Sequence, residues 1–193
     1  PNNAILAVTG NISFEEAVEL TEKWFGTIER RDIEPRNLPA EPVQKSARFQ
    51  EVSRSVPLDS ITKVYHMCRR MDKEYHCFDL LSDILSNVRS SRLFQQLVMD
   101  RKLFADIDAS ITGDIDAGLF IIKGKVNKGI SLEEADRAIV EELRRLGENE
   151  VSAYELQKVV NKFESNDLFS NINYLNKATN LAYYELLDRA ENI

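Results

Sequence analysis

The spacing of hydrophobic and polar positions changes several times along the chain, and each change marks a new element. Ala4 to Thr9 is a short apolar run closed by Gly10-Asn11, and apolar residues then recur at Phe14, Ala17, Val18, Trp24 and Phe25. This predicts strand, turn and helix. Ser13 and Glu16 have the spacing of a capping box, and Gly26 is placed to stop the helix. From Thr27 to Ser46 the periodicity vanishes, and Pro35, Pro39 and Pro42 stand among charges, as in a linker.

Beyond it, strands are predicted at Ala47 to Val52 and Ile61 to Arg69, and helices from about Lys73 to Asn87 and from Ser91 to Arg101. The period then falls from 3.6 to 2. Ala105, Ile107, Ala109 and Ile111 alternate with Asp106, Asp108, Ser110 and Thr112, as in a strand with one wet face. The Gly113 to Gly118 loop returns the chain into Leu119 to Val126, predicting a hairpin. Two further capping boxes, Ser131 with Glu134 and Ser152 with Glu155, open helices. The last helix runs to Leu187 with a break near Ser170. Strands and helices in grouped blocks predict an α+β fold, with an antiparallel or mixed sheet covered by helices on one face.

Composition narrows the function. The 193 residues are 43% hydrophobic and 30% charged, which is ordinary for a soluble globular chain. With 25 basic and 32 acidic side chains the net charge is -7, which disfavours nucleic acid and anionic lipid as partners. No apolar run is long enough to span a membrane. The compartment is not written in the sequence. The start at Pro1 without methionine predicts a chain cut from a longer one.

Candidate chemistry is sparse. The only imidazoles are His66 and His76 and the only thiols Cys68 and Cys77, in a spacing that matches no zinc motif. Asp106, Asp108, Asp114 and Asp116 form the densest carboxylate cluster, but Ile111 stands where a calcium loop requires glycine. A solvated strand face and turn is the simpler reading. No catalytic and no metal-binding residue is assigned.

Ser90-Ser91-Arg92-Leu93-Phe94-Gln95-Gln96-Leu97, followed by Asp100-Arg101-Lys102-Leu103-Phe104, resembles the helix-to-strand segment of the pitrilysin/insulinase-like zinc metallopeptidases, including the mitochondrial processing peptidase group. Pro1 to Ile12, continuing to Trp24-Phe25-Gly26, resembles the β-α unit that closes the first domain of that family. The resemblance implies three parts. Residues 1–26 would be the closing unit of a preceding catalytic domain, 27–46 a linker, and 47–193 a non-catalytic α+β domain of the pitrilysin/processing-peptidase type, truncated at its C-terminus. Residues Ala4 to Phe25 would then dock where the second domain's own closing unit belongs, or pair with another copy.

The family's inverted zinc motif, H-x-x-E-H, is absent here. The resemblance therefore places zinc in the upstream domain of the parent and no cofactor in this chain. It implies a domain that closes a peptide-binding chamber and helps to bind peptide or unfolded polypeptide, with edge-strand addition as the physical mode. The implied partner is an upstream catalytic domain or a partner subunit. Ser91 and Arg92 match the family pattern and are the substrate-facing candidates. Val98 and Ala105 stand where active members carry an arginine and a tyrosine, and neither side chain can donate a hydrogen bond. That departure supports an alternative, a structural or partner subunit of a catalytically inactive member. An independent binding module is the third class.

Overall fold

The computed structural model describes residues 2–34, 39, 41–113 and 115–192. Pro35 of the predicted linker and Asp114 of the carboxylate cluster lie outside the described residues. The chain divides into two units, Pro1–Arg54 with Phe169–Ile193, and Ser55–Leu168.

The unit Ser55–Leu168 holds the sheet. Strands β1 (Ser60–His66), β2 (Phe104–Ile111) and β3 (Leu119–Val126) lie in the order β1-β3-β2, and both pairings are antiparallel. The predicted β2-β3 hairpin forms with Ile107 opposite Gly124 and Ile111 opposite Phe120. A bulge between Phe104 and Asp106 shifts the register at the start of β2.

Alternation divides the side chains between two faces. Phe104, Ile107, Ala109, Phe120, Ile122 and Val126 are buried. They pack with Leu85 from α2 (Tyr75–Leu85), Leu97 from a π-helix (Phe94–Asp100), and Ala135, Ala138 and Ile139 from α3 (Leu132–Glu148). The opposite face carries Thr62, Val64, Lys123, Lys125 and Asp106, all exposed. Helices thus cover one face, as the grouped pattern predicts. Gly124 is required by close packing: a Cβ there would lie 2.5 Å from a ring carbon of buried Phe104.

Caps form where serine predicts them. Ser131 accepts from the Glu134 amide at 3.1 Å. Ser152 accepts from the Glu155 amide at 3.2 Å, while the Glu155 carboxylate accepts from the Ser152 amide at 3.2 Å, a complete reciprocal box. It opens α4 (Ala153–Ile172), whose last residues fall in the other unit. The segment read as an ordinary helix from Ser91 is instead largely π-helical, and its Arg101 amide donates to the Gln96 carbonyl at 3.0 Å.

The other unit contains α1 (Phe14–Phe25), the end of α4, α5 (Tyr174–Leu187) and a final turn at Ala190–Asn192. Ser13 caps α1 through the Glu16 amide at 3.2 Å, and Asn173 caps α5 through the amides of Leu175 and Asn176. The two runs read as strands, Ala4 to Thr9 and Ala47 to Val52, form no strand with a partner among the described residues. Their composition suits a strand, but a strand needs a neighbour to take its backbone bonds. No residue of α1 is buried.

Candidate functional site

The substrate-facing candidates, Ser91 and Arg92, sit at the entry to the π-helix. Ser91 is buried, and its hydroxyl donates to the Val88 carbonyl at 2.6 Å. Arg92 is half-buried and forks onto Glu155, with Nε to Oε1 at 2.9 Å and Nη2 to Oε2 at 3.0 Å. That bidentate bond holds the Glu155 carboxyl well below the usual carboxylate range, at about 2, with the Ser152 cap adding to the effect. Lys158 reaches the Ser90 hydroxyl at 3.0 Å and Lys162 reaches Asp83 at 3.0 Å. Glu155, Lys158 and Lys162 share one face of α4, so three polar ties fasten this helix to the segment from Asp83 to Arg92. The fork engages the guanidinium of Arg92, and the hydroxyl of Ser91 points into its own turn.

Val98 is half-buried within the π-helix, and Ala105 is exposed at the bulge of β2. Neither brings a donor to any surface. His66 lies in β1, while His76 in α2 stacks edge-on to Phe163 with ring centroids 6.3 Å apart. Cys68 is half-buried and Cys77 exposed, and burial, then Asp72, push the Cys68 thiol up. Among the described residues no group of three or more His, Cys, Asp or Glu side chains could hold a metal ion.

Asp106 and Asp108 of β2 stand opposite Lys125 and Lys123 of β3. This is the solvated strand face that alternation predicts, and the Asp108 carboxylate also accepts from the Ser86 hydroxyl at 3.3 Å. The same face continues through Ile121 and Leu119 to Thr62 and Val64 of β1. It is a broad, mixed polar and apolar surface rather than a cleft.

The two sheet edges differ. Along β2 the outward amide of Ala109 donates to the Ser86 hydroxyl at 2.7 Å, and that hydroxyl donates to the Ala109 carbonyl at 3.0 Å. The end of α2 thereby closes that edge. Along β1, Asp59 and Met67 bond to the β3 side, through Val126 at 2.8 Å and Gly118 at 2.9 Å. The unbroken register between them turns the backbone groups of Ser60, Thr62 and Val64 outward. Those three residues have no backbone partner for these groups among the described residues. Reading the sequence for motifs missed this edge, because strand order decides which strand is outermost. In the other unit, an open crevice of about 670 Å³ runs beside Asn2, Thr27 and Arg31.

Residues 1–163 match the model of the family described as peptidase M16 inactive domain. The chain belongs to this family. The zinc protease PqqE of Helicobacter pylori is 27% identical over 162 residues, which is 82% of this chain and 36% of that protein. The structure of a protease from Helicobacter pylori matches with a TM-score of 0.85 and 24% identity over 95% of this chain and 45% of that one. A chain of complex III2 from Candida albicans shares the fold at a TM-score of 0.70 and 14% identity, over 93% of this chain and 44% of that one. The chain thus spans about a third of the curated relative and under half of each of these two solved chains. The M16 inactive domain agrees with the pitrilysin-like resemblance, and its α+β architecture is that of the solved relatives. No helix among the described residues is long and apolar enough to cross a membrane.

Proposed function

We propose that this M16 inactive domain forms the non-catalytic wall of a peptide-binding chamber in a zinc-protease-like parent, closing the chamber and helping to bind extended polypeptide. The observation that carries the reading is the bare sheet face. Within this unit one side of β1, β3 and β2 is packed by helices, while the other presents Thr62, Val64, Ile121, Lys123 and Lys125 with no helix of the same unit against it among the described residues. A face of this mixed character suits varied peptide side chains better than one small ligand. In this reading zinc and the hydrolytic water belong to the catalytic half of the parent. Ser91 and Arg92 serve binding indirectly, through the fork that fixes α4. The exposed Phe14, Val18, Trp24 and Phe25 of α1 belong to the contact with that half.

A photo-crosslinker installed at Lys123 of the parent, challenged with a cleavage-resistant peptide, tests the reading. Capture at Lys123 is the expected result. Capture at a site introduced at Arg137 on α3, with none at Lys123, would overturn it.

A second reading, a structural subunit of an inactive member, draws on Val98 and Ala105 and on the likeness to a chain of complex III2. It predicts no chelator-sensitive peptide hydrolysis by the parent.

A further inference from the structure

Helices α3 and α4 belong to the same sheet-bearing unit as far as Leu168, but they are held in opposite ways. From α3, Ala135, Ala138 and Ile139 enter the buried cluster beside the sheet. Of the 20 residues of α4 only Val159 is buried, and it does not belong to that cluster. The apolar side chains of Leu156 and Phe163 on α4 are 44% and 42% exposed. Burial of apolar surface therefore does little to hold α4 in place.

Charge does the fastening. Glu155 takes the Arg92 fork, Lys158 donates to the Ser90 hydroxyl at 3.0 Å, and Lys162 donates to Asp83 at 3.0 Å. The ion pairs keep partial contact with water, which leaves them open to screening by salt. Two features turn this row into a latch. The Glu155 carboxylate that takes Arg92 also accepts from the Ser152 amide at 3.2 Å and the Ser152 hydroxyl at 3.0 Å, so one group serves both the docking and the capping of α4. Arg92 also has a second anion at hand. Its pKa is raised first by the hydrogen bond to Glu155, and Glu142 of α3, buried and bonded to Arg145 at 2.8 Å, adds to the rise. A guanidinium that gives up Glu155 keeps a carboxylate in range, which lowers the cost of releasing α4.

We infer that α4, from Ala153 to Leu168, is a charge-latched strap that undocks as a unit from a core which stays folded, with ionic strength as its control. The cluster formed by the sheet, α2, the π-helix and α3 keeps its members when the strap leaves, because none of them comes from α4. An element with so few buried apolar contacts opens at a fraction of the free energy that unfolds the domain. Opening frees Asp83, Ser90 and Arg92 from their partners on α4 and unseats the cap at Ser152 in the same event. The device is independent of the chamber reading: it sets how firmly the segment from Asp83 to Arg92 is held, whatever that segment meets.

Hydrogen exchange of the whole chain, followed at single amides in about 0.02 M and about 1 M sodium chloride, tests the strap. The amides from Val159 to Phe163 are expected to exchange at least about tenfold faster at the higher salt, while Ile122 and Gly124 of β3 keep their protection. The informative variants are Glu155→Gln, which keeps a capping acceptor and loses the charge, and Lys162→Gln. Combined, they should bring α4 to the fast rate already at low salt, with little further response to added salt and with β3 still protected. Protection of α4 that follows β3 at both salt concentrations in the unaltered chain overturns the inference, since α4 then opens only with the core. A salt response of the same size in the double variant overturns it too, because the latch is then not what salt acts on. Loss of β3 protection together with α4 in the double variant has the same consequence, since it makes the two one cooperative unit.

Discussion

Helices α1 and α3 begin alike and end differently. Ser13 and Ser131 each cap the amide three residues on, two glutamates follow in each first turn, and both helices are amphipathic. Yet α3 buries Ala135, Ala138, Ile139 and Glu142, while α1 buries nothing and leaves Phe14 78% and Trp24 67% exposed. Caps and periodicity make a helix, but a sheet face makes it part of a core. Strands β1 to β3 offer α3 that face, so the apolar stripe of α3 stabilises the fold. The stripe of α1 stays exposed.

The contrast is sharpest in the core beside the sheet. Leu97→Ala removes a fully buried side chain from the π-helix and should cost about 2 to 5 kcal/mol. Chemical denaturation read by far-ultraviolet circular dichroism measures it. A loss below about 1 kcal/mol would mean that the packing between the π-helix and the sheet is looser than described. Gly124→Ala tests the same core from β3. Its new methyl would meet the Phe104 ring, for an expected cost of about 1 to 3 kcal/mol.

Smaller effects belong to the polar ties of α4. A double-mutant cycle on Arg92→Ala and Glu155→Ala should return a coupling of about 1 kcal/mol, since both groups are partly exposed and solvent screens the pair. Its pH dependence has a definite sign. The Glu155 carboxyl lies at about 2 in the folded chain against 4.5 ordinarily, so the fork contributes fully above pH 4.5 and is lost as pH falls from there toward 2. Stability in Glu155→Gln should fall less steeply across that window than in the parent chain; identical slopes would remove the fork from the account. The smallest effect belongs to α1. Trp24→Ala should change stability by less than about 0.5 kcal/mol, and a larger loss would show that α1 is part of a core after all.

The sequence made some of this legible and hid the rest for physical reasons. The bounds of β3, the cap of α3, and the pause between α4 and α5 near Ser170 follow from local chemistry: alternation, a serine hydroxyl, an asparagine at the restart. Segments 4–9 and 47–52 carry the same apolar signals without becoming strands, because pairing depends on a second segment. The π-helix is invisible to periodicity, since its residues are ordinary helix formers and only its bonding differs. Arg92 stands out as a motif residue, but its partner Glu155 lies 63 positions away. Ser86 gives no signal at all until α2 brings its hydroxyl onto Ala109. What the family resemblance located is the domain. What only the fold located is the open edge and the bare face beside it.

The most direct test of the whole account combines two readings of one sample. The purified chain is incubated with zinc and a labelled, soluble, extended peptide, anisotropy reports binding, and mass spectrometry reports whether the peptide stays whole. The account predicts saturable binding and an intact peptide. Cleavage that a chelator abolishes would contradict the assignment of the chemistry to the other half of the parent, and absence of binding would contradict the assignment of a peptide-binding wall to this one.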